Sequence, residues 1–108
     1  MKIEEKDLLD IYMHGKKLAE KIKEDKNAEF KINSIAFTFL NTLKHGNTNQ
    51  FINEFLKLHT AYNLEAPKIL TKLLQDKNSL HAIGYSFVVG LLEEKAKIKN
   101  NMEQSKTA

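Results

Sequence analysis

Leu80-His-Ala-Ile-Gly-Tyr-Ser-Phe-Val-Val-Gly-Leu-Leu92 is the stretch on which the fold turns. At helical spacing, Leu80, Ile83, Tyr85, Phe87, Val88, Val89, Leu91 and Leu92 leave almost no polar face. A helix apolar nearly all round belongs at the centre of a bundle. The stretch is well short of the roughly 20 apolar residues that a membrane span needs. Gly84 and Gly90 each cost about 1 kcal/mol relative to Ala inside a helix, so their presence predicts a neighbouring helix packed close. This last helix is expected from Leu80 to about Lys95, with residues 96–108 a polar, frayed tail.

Four further helices precede it. The first is expected from Glu4 to Asp25, because Leu8, Ile11, Tyr12, Gly15, Leu18, Ala19 and Ile22 recur at three- and four-residue steps. Its other face alternates in charge, the mark of a solvated surface. The second spans about Lys31 to Lys44 and is expected to bury Ile32, Ile35, Ala36, Phe39, Leu40 and Leu43. Gly46 stands where a left-handed C-terminal cap is expected, and Asn47 with Gln50 makes a capping-box-like start for the third helix. That helix carries Phe51, Ile52, Phe55, Leu58, His59 and Tyr62. Pro67 opens a fourth, expected to bury Ile69, Leu70, Leu73 and Leu74. The fold class is therefore all-α: one bundle of about five helices over residues 1–95.

With 108 residues, 42% of them apolar, one Pro and four Gly, the chain has the composition of a single folded domain. It contains no Cys, which excludes a disulfide framework and a thiolate metal site. Met1-Lys2-Ile3-Glu4-Glu5 is charged at once and lacks the apolar core of a signal peptide, so a cytoplasmic protein without membrane attachment is expected. All 17 basic residues are Lys, giving a net charge of +3. Lys is a mobile point charge, whereas Arg reads planar groups bidentately. If such a protein touches nucleic acid, it should hold the backbone more than it reads bases.

No catalytic constellation emerges. His14, His45, His59 and His81 lack the spacing of a helical zinc pair, and His59 and His81 are expected as satisfied core or rim residues. Asp10 and His14, one turn apart, could pair on the surface, and Asp7 with Asp10 reads as part of a solvated face. No catalytic residue, metal ligand or cofactor is assigned. With no Trp, and with the six Phe placed mostly on core stripes, a base-stacking platform is not indicated.

Binding residues are sought instead where charge is uneven. From Lys31 to Ile83 only Glu54, Glu65 and Asp76 oppose Lys31, Lys44, Lys57, Lys68, Lys72 and Lys77. Lys68 and Lys72 lie one turn apart, opposite the apolar stripe of the fourth helix, and are expected to project into solvent together. Lys44, His45 and Asn47 flank the start of the third helix, where unpaired N–H groups favour a phosphate. Their plainer reading is a helix stop followed by a helix start. Lys57 completes the candidate set.

Four stretches in order carry a resemblance. They are Ile35-Ala-Phe-Thr-Phe-Leu-Asn-Thr-Leu-Lys-His-Gly-Asn47, Phe51-Ile-Asn-Glu-Phe-Leu-Lys-Leu58, Ala66-Pro-Lys-Ile-Leu70 and Ile83-Gly-Tyr-Ser-Phe-Val-Val-Gly-Leu-Leu92. Together they resemble the C-terminal helical region of the large subunit of type I-B CRISPR effector complexes (Cascade). In that family the region is also made as a separate small subunit from an internal start, and a chain opening at Met1 has the extent expected of that product. The resemblance implies a non-catalytic bundle present in several copies, contacting the large and backbone subunits. It would support the guide RNA–target DNA heteroduplex and the displaced strand through backbone contacts, aiding R-loop formation in antiviral defence. The alternative expectation is a helical adaptor or antitoxin-like module without nucleic-acid contact. An independent helix-turn-helix repressor is a third reading, but the Arg or Gln expected at a recognition helix is missing.

Overall fold

The computed structural model describes residues 3–65 and 67–107. Its α-helices are α1 (Glu5–Ile22), α2 (Ala28–Lys44), α3 (Thr48–Tyr62), α4 (Ile69–Gln75) and α5 (Leu80–Thr107), with a 3-10 turn at Lys77–Ser79. No strand occurs among the described residues. The opening Met1-Lys2, Ala66 of the Pro67 stretch and Ala108 of the expected tail lie outside them.

Local chemistry sets the boundaries. Glu4 and Asp7 cap α1 reciprocally, the Glu4 N–H donating to Asp7 Oδ2 at 3.0 Å. The helix stops at Ile22, short of Asp25, and α2 begins at Ala28, three residues before the expected start. Asn27 makes that turn in the left-handed region (φ 60°), which Asn tolerates better than most residues. Gly46 takes the left-handed cap foreseen for it (φ 62°). Gly46 N–H bonds Leu43 O and Asn47 N–H bonds Thr42 O, completing the Schellman pair. Asn47 Oδ1 accepts from Gln50 N–H at 3.0 Å, as its spacing predicted. Pro67 is not the first residue of α4. A preliminary turn, Leu70 N–H to Pro67 O and Thr71 N–H to Lys68 O, leads into a helix that starts at Ile69.

The centre of the bundle is α5, packed against α1 and α2. Gly15 and Gly90 make the close crossing with α1. A side chain at Gly15 would strike Phe87 O, and one at Gly90 would strike Tyr12 O. Both obstacles are backbone, so neither can swing aside. Gly84 lies on the Leu43 side chain of α2. Farther along, Lys95 Nζ donates to Asn33 Oδ1 at 2.7 Å and Lys99 pairs with Glu29 at 3.7 Å, so α2 and α5 are antiparallel. These contacts, and Ile98 packed on the core, hold α5 against α2 as far as Lys99, so the helix passes the end expected near Lys95; it runs to Thr107.

Phe39, Phe51, Phe55 and Phe87 form the heart of the core, with ring centroids 5.0 Å apart for Phe39–Phe87 and 4.8 Å for Phe55–Phe87. The expectation of a wholly buried α5 needs correction. Tyr85, Val89 and Leu92 face outward at 49%, 46% and 38% exposure. On α2, Leu40 is exposed instead of buried as expected, and Phe30 and Phe37 are exposed as well. On the short α4, Leu74 faces solvent while Leu73 is fully buried. A seven-residue helix has one buried stripe, and Leu74 falls beside it.

Candidate polyanion interface

Six lysines converge on one open groove: Lys6, Lys16 and Lys17 of α1, Lys68 and Lys72 of the α4 segment, and Lys97 of α5. Its volume is about 940 Å³, and Asp7, Asp10, Glu20 and Glu94 are the carboxylates lining it. The groove exists because α1 and α5 cross tightly at Gly15 and Gly90 while α4 leans across the first turns of α1. Lys6 and Lys17 fall on one face because eleven residues make close to three helical turns.

These lysines are not equivalent. Lys72 Nζ donates to Asp7 Oδ2 at 2.6 Å, and both side chains are largely shielded. Lys72 is thus a strut between α4 and α1, and not the free solvent-facing cation that its spacing suggested. The Lys72 hydrogen bond, and then the Glu4 N–H, hold the Asp7 carboxyl below its ordinary value. Lys16 lies 4.9 Å from the Tyr12 ring centroid and 4.0 Å from Glu93, whose carboxylate also accepts from the Tyr12 hydroxyl. Lys6 pairs with Glu4 at 3.3 Å on the open surface. Lys17, Lys68 and Lys97 have no ion-pair partner among the described residues, so they are the cations available to a phosphate chain.

The remaining sequence candidates lie elsewhere. Lys57 pairs with Glu54 at 3.4 Å on exposed α3 and lines no part of the groove. His45, Gly46, Asn47, Thr48, Asn49 and Lys77 surround a shallow depression of about 290 Å³, beside which Lys44 is exposed. The Asn47 cap already occupies the Gln50 N–H there, which leaves Thr48 and Asn49 as open donors of the first turn. Lys44, His45 and Asn47 therefore form a second, smaller patch.

Sequence reasoning passed over Lys6, Lys16 and Lys17, on a helix whose alternating charge read as an ordinary solvated face, and Lys97, which it placed in the polar tail. It also passed over Glu94. The available signal was its register: Glu94 follows Leu91 by three and precedes Ile98 by four, a core position, and it is only 5% exposed. Burial, then the neighbouring Glu20 carboxyl, raises the Glu94 pKa. The Glu94 hydrogen bond, then Lys23, lowers that of Glu20.

The histidines divide between core and surface. His14 stacks against both Phe55 and His59, at 5.2 and 5.3 Å, in a three-ring cluster, instead of pairing with Asp10. Burial, then His59 and Lys17, pushes its pKa down to about 4. His59 is buried as expected, but its Nε2 has no hydrogen-bond partner, contrary to the satisfied residue foreseen. His81 is exposed and its Nε2 lies 3.0 Å from Leu43 O. Among the described residues no group of three or more metal-ligating side chains occurs, and no helix is long and apolar enough to cross a membrane. Comparison of the chain with protein-family models, curated proteins and solved structures yields no match.

Proposed function

We propose that this chain is a non-catalytic helical scaffold that grips the sugar-phosphate backbone of nucleic acid. More specifically, we propose that it acts as a small subunit of a type I-B CRISPR effector complex. The observation that carries the reading is the convergence of Lys17, Lys68 and Lys97 on one groove, none of them in an ion pair among the described residues. A groove lined by Lys and lacking Arg suits contact with phosphates irrespective of sequence. In an RNA-guided assembly base pairing reads the letters, so a scaffold there needs only shape and charge. The four-stretch resemblance supplies the assembly. Within it, the partners are the large and backbone subunits, further copies of this chain, and the guide RNA and target DNA backbones in the cytoplasm.

Co-expression with the remaining subunits of a type I-B complex tests this. The expected result is co-purification at a mass that includes this chain, and R-loop formation that falls when it is omitted. A complex of unchanged mass and unchanged R-loop yield would reject the assignment.

A second reading, a helical module that binds proteins only, draws on Phe30 and Phe37, which expose 73% and 74% of their surface on the outer face of α2. Exposed aromatic pairs of this kind suit a protein partner. Retention of a protein partner after nuclease treatment, with no oligonucleotide binding at low salt, would favour that reading.

A further inference from the structure

We propose that the outer face of α2 is a stacking subsite for single-stranded nucleic acid. Phe30 and Phe37 seat bases there, and Lys95 holds the phosphate between them. The inference rests on the nucleic-acid reading above and adds a second contact surface, outside the lysine groove. Phe30 and Phe37 are the two most exposed large apolar side chains among the described residues. The core placement of the Phe residues, which set a stacking platform aside, does not extend to these two. Seven residues apart, they lie on one stripe of α2, about 10.5 Å from each other along its axis. Asn33 stands between them on the same side, and Lys95 of α5 reaches across to donate to its Oδ1 at 2.7 Å. A neutral amide leaves the ammonium its full charge, so a cation is pinned between two exposed rings. Lys44, seven residues beyond Phe37, continues the stripe as an exposed cation with no ion pair among the described residues.

Phe30, Asn33 and Lys95 also line one hollow of about 550 Å³ where α2 meets α5. The carboxylates there, Asp25 and Glu29, are each answered by a lysine, Lys31 at 3.3 Å and Lys99 at 3.7 Å. Glu29 is the only acidic residue of α2, so the helix presents no unpaired negative charge to a phosphate. Charge decides the occupant. The cores of protein–protein interfaces are depleted in Lys, whereas here a lysine stands between the aromatic rings. A base on a phenyl face and its phosphate on an ammonium use both kinds of group at once. In a duplex each base face is covered by a neighbour about 3.4 Å away, so free faces for both rings come from a single strand.

The test is fluorescence anisotropy of the full chain with two labelled strands of equal length and charge, one of thymidines and one abasic. The wild type should bind the thymidine strand more tightly. Phe30→Ala and Phe37→Ala should each cost about fivefold or more on that strand alone. Both rings lie at the surface, so these variants should fold, which circular dichroism checks. Phe37→Trp should keep the preference and Phe37→Leu should lose it, because Leu keeps apolar area without a π face. Lys95→Gln should leave the base preference in place and flatten the salt slope by about 0.7. Suppose the wild type binds both strands equally, while Lys17→Gln, Lys68→Gln and Lys97→Gln together abolish binding. That result would overturn the stacking subsite and leave the groove reading standing. No binding of either strand by the wild type would overturn both. Base-independent binding, with Phe37→Ala weakening only a co-purifying protein, would overturn the subsite and give the α2 face to a protein.

Discussion

Lys72 Nζ sits 2.6 Å from Asp7 Oδ2, joining the short fourth helix to the first turn of α1. The same Asp7 oxygen caps α1 through the Glu4 N–H. One carboxylate therefore secures a helix end and a tertiary contact together, and its partner lysine has a structural role before any binding role.

Replacing Lys72 with Ala should therefore lower the melting temperature at pH 7 while leaving oligonucleotide affinity closer to wild type than Lys68→Ala does. The sign of the pH dependence follows from Asp7. Its folded-state pKa lies below the ordinary 3.8, so its contribution is present above that value and is lost as pH falls through the folded pKa. Thermal melts should show the Lys72→Ala deficit shrinking as pH falls below 3.8.

The α1–α5 crossing makes a sharper prediction. Gly90→Ala places a methyl group against the Tyr12 carbonyl, where no side chain can yield. Overpacking typically costs about 1–3 kcal/mol, and a backbone obstacle puts this variant at the upper end or beyond. Gly46→Ala also loses stability, but through its positive φ alone, because the space around it is open. Urea unfolding midpoints should rank the two in that order.

His14 predicts acid sensitivity. Its folded pKa is about 4 against 6.5 when free, so the unfolded chain binds more protons between those values and stability falls as pH drops through that window. A shift of this size, discounted because solvent still reaches the ring, corresponds to about 2 kcal/mol. His14→Phe keeps the stacking surface and should flatten the stability profile between pH 4 and 6.5. A slope equal to that of the wild type would contradict the assignment.

Much of the fold was legible in the sequence, and particular residues explain why. Gly46, Asn47 and Gln50 carry their turn in local chemistry, and Gly90 announced a close neighbour by costing helix stability without one. Leu40 and Leu74 were misplaced because apolar character says that burial is favourable, but does not say which side of a helix tertiary packing will cover. The site was harder to read. Whether Lys72 or Lys68 is available depends on Asp7, sixty-five positions away from Lys72, and no local pattern encodes that. Lys97 enters the groove because α5 continues past Lys95, beyond the helix end expected from the sequence.

Phe37 and Phe39 offer an internal control for the second functional reading. Phe39→Ala should cost about 3–5 kcal/mol by emptying the aromatic core. Phe37→Ser, at an exposed position, should change stability by about 0.5 kcal/mol or less. If α2 docks a protein, Phe37→Ser should weaken that complex in a pull-down with nothing lost in the melt.

The most direct test is the salt dependence of single-stranded oligonucleotide binding by wild type and by a chain with Lys17, Lys68 and Lys97 all changed to Gln. If these three ammonium groups each neutralise a phosphate, the log–log slope should flatten by about 0.7 for every contact removed. An equally steep slope and undiminished affinity in the triple variant would show that the groove does not hold the strand.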